Sequence, residues 1–249
     1  MQEAQKGHLH PMTHTIRHMV GIFRDLGFII AEGPEIETEH YNFDALNVPK
    51  DHPARDLWDT FWLKPDASGE RRLLRTHTSP VQIRYMEAHQ PPIKIIAPGK
   101  VFRYEATDAT HEVQFYQLEG LWVGRDVALS DLKGVLAHFF SKLFGKEIKT
   151  RFRPSYFPFV EPGVEVDMSC FKCGGEGCAL CKASGWIEIM GAGMVHPNVL
   201  NNVGINSREW QGFAFGIGVD RVVMLKYGIE DVRLLYQGDL RVINQFSTM

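Results

Sequence analysis

In the stretch from Gly212 to Tyr227, GFAFGIGVDRVVMLKY, the spacing of the apolar residues changes from that of a strand to that of a helix. The rest of the chain can be interpreted by its relation to this stretch. From Phe213 to Ile217, aromatic or branched residues alternate with Ala and Gly, which predicts a strand whose small positions let another group approach the backbone. From Val219 onward the apolar residues take helical spacing. Because a strand that runs directly into a helix presents N–H groups and here Arg221, we predict an anion site.

The two glycines of this stretch admit other interpretations. Gly216 and Gly218 have the spacing of a dinucleotide-binding loop, but Arg221 stands where the third glycine of that pattern would fall. A purely structural glycine pair is the remaining alternative. The rest of the chain has to decide between them.

Composition indicates a globular protein. The 249 residues are 44% hydrophobic, which is enough for one large domain or two small ones. With 27 basic and 30 acidic residues the net charge is -3, so any RNA contact must be local or come from a partner. No apolar run approaches the ~20 residues that span a bilayer, and the N-terminus lacks the apolar core of a signal peptide. We therefore expect a cytoplasmic protein.

The sequence predicts the start of two helices in the first third of the chain. Pro11 opens a helix that Gly27 ends, with one apolar face comprising Ile16, Met19, Val20, Phe23 and Leu26, and Phe28 to Ala31 follow as a short strand. Thr78 or Ser79 caps a second helix at Pro80. His77, Ser79 and Gln82 cluster at this start and offer hydrogen bonds to a small polar ligand, although capping alone would explain the serine.

A hairpin is predicted from the runs Ile93 to Ala97 and Val101 to Tyr104, interrupted at Pro98-Gly99, and from the run Val113 to Val123. Strand side chains alternate between faces. The polar or aromatic residues that share a face are Arg103 and Glu105 on one strand and Phe115, Gln117 and Glu119 on its mate. Because such groups are costly to bury without partners, the face is either solvated or a binding site, and we favour the site.

All four cysteines form two C-x-x-C pairs, Cys170 with Cys173 and Cys178 with Cys181. Four thiolates at this spacing can surround one zinc ion tetrahedrally, and the intervening glycines permit tight turns. Disulfides are not expected in a reducing compartment. Free or redox-active thiols are the alternative to zinc.

Several segments together resemble one enzyme family. Phe215 to Arg221 resembles motif 3 of the class II aminoacyl-tRNA synthetases, and Val101 to Glu105 with His111 resembles motif 2. The first helix and strand resemble motif 1, which forms the subunit interface in that family. The segments similar to the bacterial phenylalanyl-tRNA synthetase alpha subunits are NFDALNVP, RTHTSP, GKVFRYEATDATHEVQFYQLEG, FPFVEPG, GAGMVHPNVL and GFAFGIG, all between Gly7 and Phe246.

The resemblance implies an α+β fold in which a class II antiparallel sheet is flanked by helices and carries a small four-cysteine, zinc-knuckle-like insertion. A single catalytic domain would cover residues 1–249, with motif 1 at about 11–35, motif 2 at about 93–123, the insertion at about 169–185 and motif 3 at about 212–227. The shortest family members lack these cysteines, so the insertion is interpreted as a structural clip. We also expect the family's N-terminal coiled-coil arm, which reaches tRNA, to be absent, tRNA charging to be weak, and the motif 1 apolar face to be exposed in the isolated chain.

The implied activity is that of a ligase. It would activate L-phenylalanine with ATP and Mg²⁺ to phenylalanyl-adenylate and transfer the acyl group to tRNA(Phe), within an α2β2 heterotetramer formed with a beta subunit. The alternative is a paralogue on the same core, an amino-acid ligase or a regulatory protein, that does not charge tRNA.

The resemblance also implies a role for each site residue. The catalytic residues would be Arg103, Gln117, Glu119 and Arg221. ATP would be bound by Arg103 at the α-phosphate, Glu105 at the adenine amino group, His111 at the phosphates, and Phe115 and Arg221 on the two faces of adenine. The amino acid would be bound at its ammonium end by His77, Ser79, Gln117 and Glu119, with Trp58 and Gln82 nearby in the same site, and at its ring by Phe157, Phe159, Val160 and Ala214. Glu161 would bind Mg²⁺, and Cys170, Cys173, Cys178 and Cys181 would bind Zn²⁺.

Overall fold

The computed structural model describes residues 7–56, 59–65 and 69–246 of the chain. Its centre is a seven-stranded sheet flanked by helices, which confirms the predicted α+β class. The strands are β1 Ile29–Ile30, β2 Ile36–Thr38, β3 Arg72–Leu74, β4 Ile93–Phe102, β5 Gln114–Gly124, β6 Thr150–Phe157, β7 Val160–Ser169, β8 Trp186–Val195 and β9 Gln211–Gly218. The α-helices are α1 Pro11–Asp25, α2 Ser79–Ala88, α3 Leu129–Phe144, α4 Pro197–Asn202, α5 Val219–Tyr227 and α6 Leu240–Ile243. Shorter turns of π- and 3₁₀-helix cover His40–Asp44, Pro53–Arg55, Val232–Leu235 and Asn244–Phe246.

The strand order of the large sheet is β1-β4-β5-β9-β8-β7-β6, and β2 and β3 form a separate two-stranded sheet. Every neighbouring pair in the large sheet is antiparallel except β1 with β4, which is parallel. The predicted hairpin is β4–β5 and is confirmed. The strand order places β9 beside β5, so the two most informative stretches of the sequence are hydrogen-bonded neighbours.

Two apolar cores cover the two faces of the large sheet. On one face α1, α3 and α5 pack over β5 and β9, where Phe23 stacks on Phe139 at 4.5 Å and on Phe215 at 5.1 Å between ring centroids. On the other face α2 and α4 pack against β4 and β5 through a second cluster that includes Ile83 and Leu121. Odd-numbered β5 residues point to this second face, which also carries the candidate site.

The opening stretch of the sequence folds as predicted. β9 runs into α5 at Val219, and Gly228 ends that helix in the left-handed conformation at φ 66°. Gly216 pairs with Glu119 across the sheet, and a Cβ at Gly216 would lie 3.0 Å from Nε2 of Gln117 and 3.1 Å from Cγ of Glu119. The small residue is therefore required so that these two polar side chains can cross the strand.

Two expectations from the sequence were wrong. β4 continues through Pro98 and Gly99 without interruption, because β1 pairs only with Ile95 and Ile96 and a proline beyond that point faces no further strand on that edge. The apolar face of α1 is not left exposed in the isolated chain, since Met19 and Phe23 are fully buried in the chain's own core. The apolar residues exposed in this region are instead Ile29, Ile30 and Ile36.

In the described part of the chain, every helix is too short or too polar to cross a bilayer.

Candidate active site

Two adjoining cavities meet where β4 ends and α5 begins. The first has a volume of about 690 Å³ and reaches from Arg221 and Phe115 to the apolar residues of β7, β8 and β9. The second has a volume of about 650 Å³ and lies between α5, the segment after β4 and the cysteine-rich loop. The residues that line both cavities are Arg103, His111, Phe115, Gly218 and Arg221. These shared residues make one continuous site with two ends.

Glu119 is the polar centre of the first cavity and is 4% exposed. Its Oε1 accepts from the Thr78 backbone N–H at 3.0 Å, and its Oε2 accepts from the Ser79 hydroxyl at 2.6 Å and the Gln82 amide at 2.8 Å. Burial raises the pKa of Glu119, while the hydrogen bonds from Ser79 and Thr78 oppose that rise. A carboxylate has about four lone-pair positions, so three donors leave room for one more.

Among the residues that line the first cavity, two buried polar atoms near Glu119 have no hydrogen-bond partner in the described part of the chain. They are Oε1 of Gln117 and Nδ1 of His77, and both residues line the first cavity. Burial, assisted by the charge of Arg103, lowers the pKa of His77 to about 3, so this imidazole is neutral at physiological pH. Buried polar groups are rarely left unpaired, so these atoms indicate a ligand that brings hydrogen-bond donors.

The far end of the first cavity is apolar. Phe157 and Phe159 lie with ring centroids 6.0 Å apart and an angle of 21° between the rings, next to Val160 and Ala214. A Cβ at Gly191 would lie 3.0 Å from Cζ of Phe157, so that glycine makes room for the ring. The cavity thus places a ring-sized apolar space beyond a cluster of hydrogen-bond acceptors.

Arg103 stands where the two cavities meet. Its Nε donates to the carbonyl of Thr76 at 3.2 Å, and its guanidinium lies 5.0 Å from the ring centroid of Phe115. The side chain of Arg103 lines both cavities. Glu105 lines only the second cavity. His111 lines both, but it is exposed and its Nδ1 lies 3.0 Å from Asp108 within the same loop.

The N-terminus of α5 forms the other side of the junction. Nε of Arg221 donates to the carbonyl of Glu188 at 3.1 Å, which holds the guanidinium beside the cavity. The neighbouring Asp220 is buried and accepts from the backbone N–H of Tyr116 at 2.7 Å and from the hydroxyl of Tyr236. Burial raises the pKa of Asp220 to about 6, against the lowering effect of those two donors.

The structure places most of the residues expected from the sequence around these cavities, with two exceptions. Glu161 is exposed and is not among the described residues that line either cavity. Trp58 lies outside the described residues. Besides Glu119, the carboxylates that line the first cavity are those of Glu165 and Glu188, which sequence reasoning missed. Their signal was weak, because each is one alternating polar residue in a strand.

The four cysteine sulfurs converge in the loop between β7 and β8. All four lie within 4.8 Å of one another, with Sγ–Sγ distances of 3.7 Å for Cys170–Cys178 and 3.8 Å for Cys173–Cys181 and Cys178–Cys181. Zinc–sulfur bonds of about 2.3 Å in a tetrahedron would set the sulfurs about 3.8 Å apart. All four are free thiols.

Comparisons of the sequence and of the fold with known proteins point to one family. A family model described as the tRNA synthetases class II core domain (F) matches residues 1–246. The phenylalanine–tRNA ligase alpha subunit of Clostridium botulinum (strain Eklund 17B / Type B) is 56% identical over 240 residues, which is 96% of this chain and 69% of that protein. The alpha subunit of the same name from Anoxybacillus flavithermus is 56% identical over 245 residues, which is 98% of this chain and 70% of that protein. Pyrrolysyl-tRNA synthetase from Desulfitobacterium hafniense has a similar fold, with a TM-score of 0.66 and 19% identity over 92% of this chain and 74% of that one.

Proposed function

We propose that this chain, which belongs to the class II tRNA synthetase family and within it to the phenylalanine–tRNA ligase alpha subunits, activates L-phenylalanine with ATP for transfer to tRNA(Phe). In the first step a carboxylate oxygen of phenylalanine bonds to the α-phosphorus of ATP as the bond to pyrophosphate breaks. In the second, a terminal ribose hydroxyl of the tRNA takes the acyl group and AMP leaves. The first cavity receives the amino acid and the second cavity receives the nucleotide.

One observation carries the amino-acid part of this proposal. Oε1 of Gln117 is a buried acceptor without a partner among the described residues, and it lies beside Glu119, which retains one free lone-pair position. An α-ammonium group brings three N–H donors and a positive charge, which suit these acceptors. The neutral His77 and the hydroxyl of Ser79 are the other polar groups around the ammonium group. Phe157 and Phe159 contact the aromatic ring of the substrate.

Arg103 binds the two groups that react, the carboxylate of the amino acid and the α-phosphate of ATP. From the junction of the cavities its guanidinium can contact both the substrate carboxylate and the α-phosphate in a planar, two-pronged manner. Catalysis of this kind depends on holding the two reactants in line and on neutralising developing charge, so no protein nucleophile is required. Arg103 therefore positions the carboxylate for attack and stabilises the added negative charge on the phosphate.

The adenine would lie over Gly218, between Phe115 and Arg221. A Cβ at Gly218 would meet nothing within 4 Å, so there is open space above the strand at this point. Stacking on the phenylalanine ring and a cation–π contact from the arginine suit a flat, electron-rich base. Glu105, which lines only the second cavity, would accept from the adenine amino group.

Class II enzymes use Mg²⁺ with ATP, and the first cavity contains oxygen ligands of the kind that this ion prefers. Glu165 and Glu188 line it, and each carboxylate contacts Arg153 at 2.8 Å through one oxygen. The other oxygen of Glu165 accepts from the Ser155 hydroxyl at 3.1 Å. When bound, Mg²⁺ would neutralise phosphate charge. These two residues fit that role better than Glu161, which is not among the described residues that line either cavity.

The cysteine cluster would hold one structural Zn²⁺. The Sγ–Sγ distances of 3.7 to 3.8 Å match those of a tetrahedral zinc site. Backbone N–H groups of Gly177 and Cys178 donate to cysteine sulfurs at 3.2 and 3.1 Å, which favours thiolates. Because four ligands complete the coordination shell, the ion would have no open position for catalysis.

The proposed partners are a beta subunit, in an α2β2 assembly, and tRNA(Phe). The exposed apolar residues Ile29 and Ile30 on the edge strand β1, and Ile36 on β2 of the small sheet, support a protein interface. A cytoplasmic location is proposed with this function, because a reducing compartment keeps the four thiols free for a metal.

Amino-acid-dependent ATP–pyrophosphate exchange tests the proposal. It should be measured with all twenty amino acids, with and without a co-expressed beta subunit, and be followed by tRNA charging. We expect phenylalanine to support exchange far above every other amino acid. Exchange with a different amino acid would overturn the substrate, and exchange without any tRNA charging by the assembly would favour the paralogue.

A further inference from the structure

The cysteine loop forms one wall of the second cavity. Residues inside its two C-x-x-C pairs line that cavity, namely Lys172 in the first pair and Ala179 and Leu180 in the second. They face the junction residues Arg103, Phe115 and Arg221, which line the same cavity. This wall of the cavity therefore consists of residues that lie between two metal-binding cysteines, where a bound ion would restrict the backbone most.

The loop is held at its base by the Cys170 N–H bond to the carbonyl of Gly185 and by stacking of Phe171 on Phe144 at 4.8 Å between ring centroids. Turns, and neither helix nor strand, fill the segment between the end of β7 at Ser169 and the start of β8 at Trp186. Its four sulfurs lie within 4.8 Å of one another, which is close enough for one ion to bind all of them. Lys172 and Leu180 each lie between two of these ligands in the sequence, so a bound ion would fix their positions.

We propose, on the basis of the proposed function, that this loop is a metal-dependent wall of the ATP site. The ion holds the side chain of Leu180, which is 37% exposed, against the nucleoside, and directs the Lys172 ammonium to the polyphosphate alongside Arg103 and Arg221. Metal loading then raises the affinity for ATP and leaves the affinity for phenylalanine unchanged, because the first cavity takes no lining residue from the described loop.

The test is calorimetric binding of ATP and of phenylalanine to the assembled enzyme, before and after removal of zinc by a chelator. With excess Mg²⁺ present, we expect metal removal to raise the Kd of ATP about tenfold and to change the Kd of phenylalanine less than about twofold. Equal Kd values for ATP in the two forms would overturn the proposal, and so would equal losses for both ligands.

Variants with the metal in place decide the matter if chelation unfolds the chain. Lys172→Ala and Leu180→Gly should each keep full zinc content and weaken ATP about three- to tenfold, whereas the matched control Lys182→Ala, an exposed lysine of the same loop outside the cavity, should not. The Lys172→Ala effect should shrink at high ionic strength and the Leu180→Gly effect should persist.

The outcomes separate this proposal from the proposed function. If the wild-type enzyme binds ATP and phenylalanine, and the Lys172 and Leu180 variants bind ATP as well as the Lys182 control does, the loop is not part of the ATP site and the proposed synthetase function stands. A zinc-loaded wild type that binds neither ligand removes both.

Discussion

The two ends of the site are built in different ways. At the amino-acid end Glu119 of β5 joins Thr78, Ser79 and Gln82 at the start of α2 in one buried hydrogen-bonded cluster. At the nucleotide end α5 and two loops form the walls, with His111 exposed and Lys172 and Leu180 contributed by the cysteine loop. The end that must select one ring and one ammonium group is held by buried hydrogen bonds, whereas the end that takes a common nucleotide relies in part on loop residues outside the sheet.

The largest expected effect concerns the loop end. Cys170→Ser removes a fully buried sulfur and should lower the free energy of unfolding by about 4 kcal/mol, because metal binding free energy is part of the folding free energy. Chemical denaturation and zinc analysis measure this, with Glu176→Ser in the same loop as control. At saturating ATP and phenylalanine the exchange rate of the folded fraction should change little. Wild-type protein with four freely titrating thiols would contradict the zinc site.

Arg103 joins the two ends, and its replacement should damage catalysis more than any change at one end. Arg103→Lys should slow ATP–pyrophosphate exchange about a hundredfold, equivalent to about 3 kcal/mol, because lysine cannot make a planar two-pronged contact. Circular dichroism should show an unchanged fold, and the exposed Arg208→Lys serves as the matched control. Near-normal exchange by Arg103→Lys would remove this residue from the reaction.

The nucleotide end also carries a buried carboxyl whose protonation is linked to stability. Folding raises the pKa of Asp220 from 3.8 to about 6, so the folded state binds its proton more tightly than the unfolded state. The stabilisation that this protonation gives is fully present below about pH 4 and is lost as the pH rises through about 6, by about 3 kcal/mol.

Asp220→Asn tests this linkage, because an amide can still accept from Tyr116 and does not titrate. Urea unfolding at about pH 4.5 and about pH 7.5 should show wild type losing stability relative to the variant as the pH rises. The exposed Asp126→Asn is the control. Parallel pH profiles for wild type and Asp220→Asn would show that this carboxyl has an ordinary pKa.

The smallest effect is a change of fit at the amino-acid end. Ala214→Gly should let a para-substituted phenylalanine support exchange while phenylalanine remains a substrate, because one methyl group of space opens beside the ring pocket. The stability cost of a strand glycine should be about 1 kcal/mol. Ala97→Gly, at a buried β4 position that pairs with Glu119 but does not line the cavity, is the matched control for the cost of a strand glycine. If no para-substituted analogue becomes a substrate, Ala214 does not limit the pocket.

Local patterns determined much of the fold. The alternation and helical spacing of Gly212–Tyr227 predicted β9 and α5 with their junction, and the polar alternation around Phe115 to Glu119 predicted a strand with a site-facing side. The spacing of the cysteines predicted a cluster that the structure contains. These succeed because period, capping and ligand spacing act over a few residues. The roles of individual residues, by contrast, came from family resemblance and stay predictions.

Only the tertiary structure decided which distant residues meet. Glu119 reaches Ser79 across 40 positions of sequence, and Glu188 joins the site because β8 lies beside β9. The wall made by Lys172 and Leu180, and the burial of α1 in the chain's own core, depend in the same way on strand order, register and helix placement. Such contacts depend on strand order and register across the whole sheet. The composition, periodicity and spacing of a single segment do not determine that order.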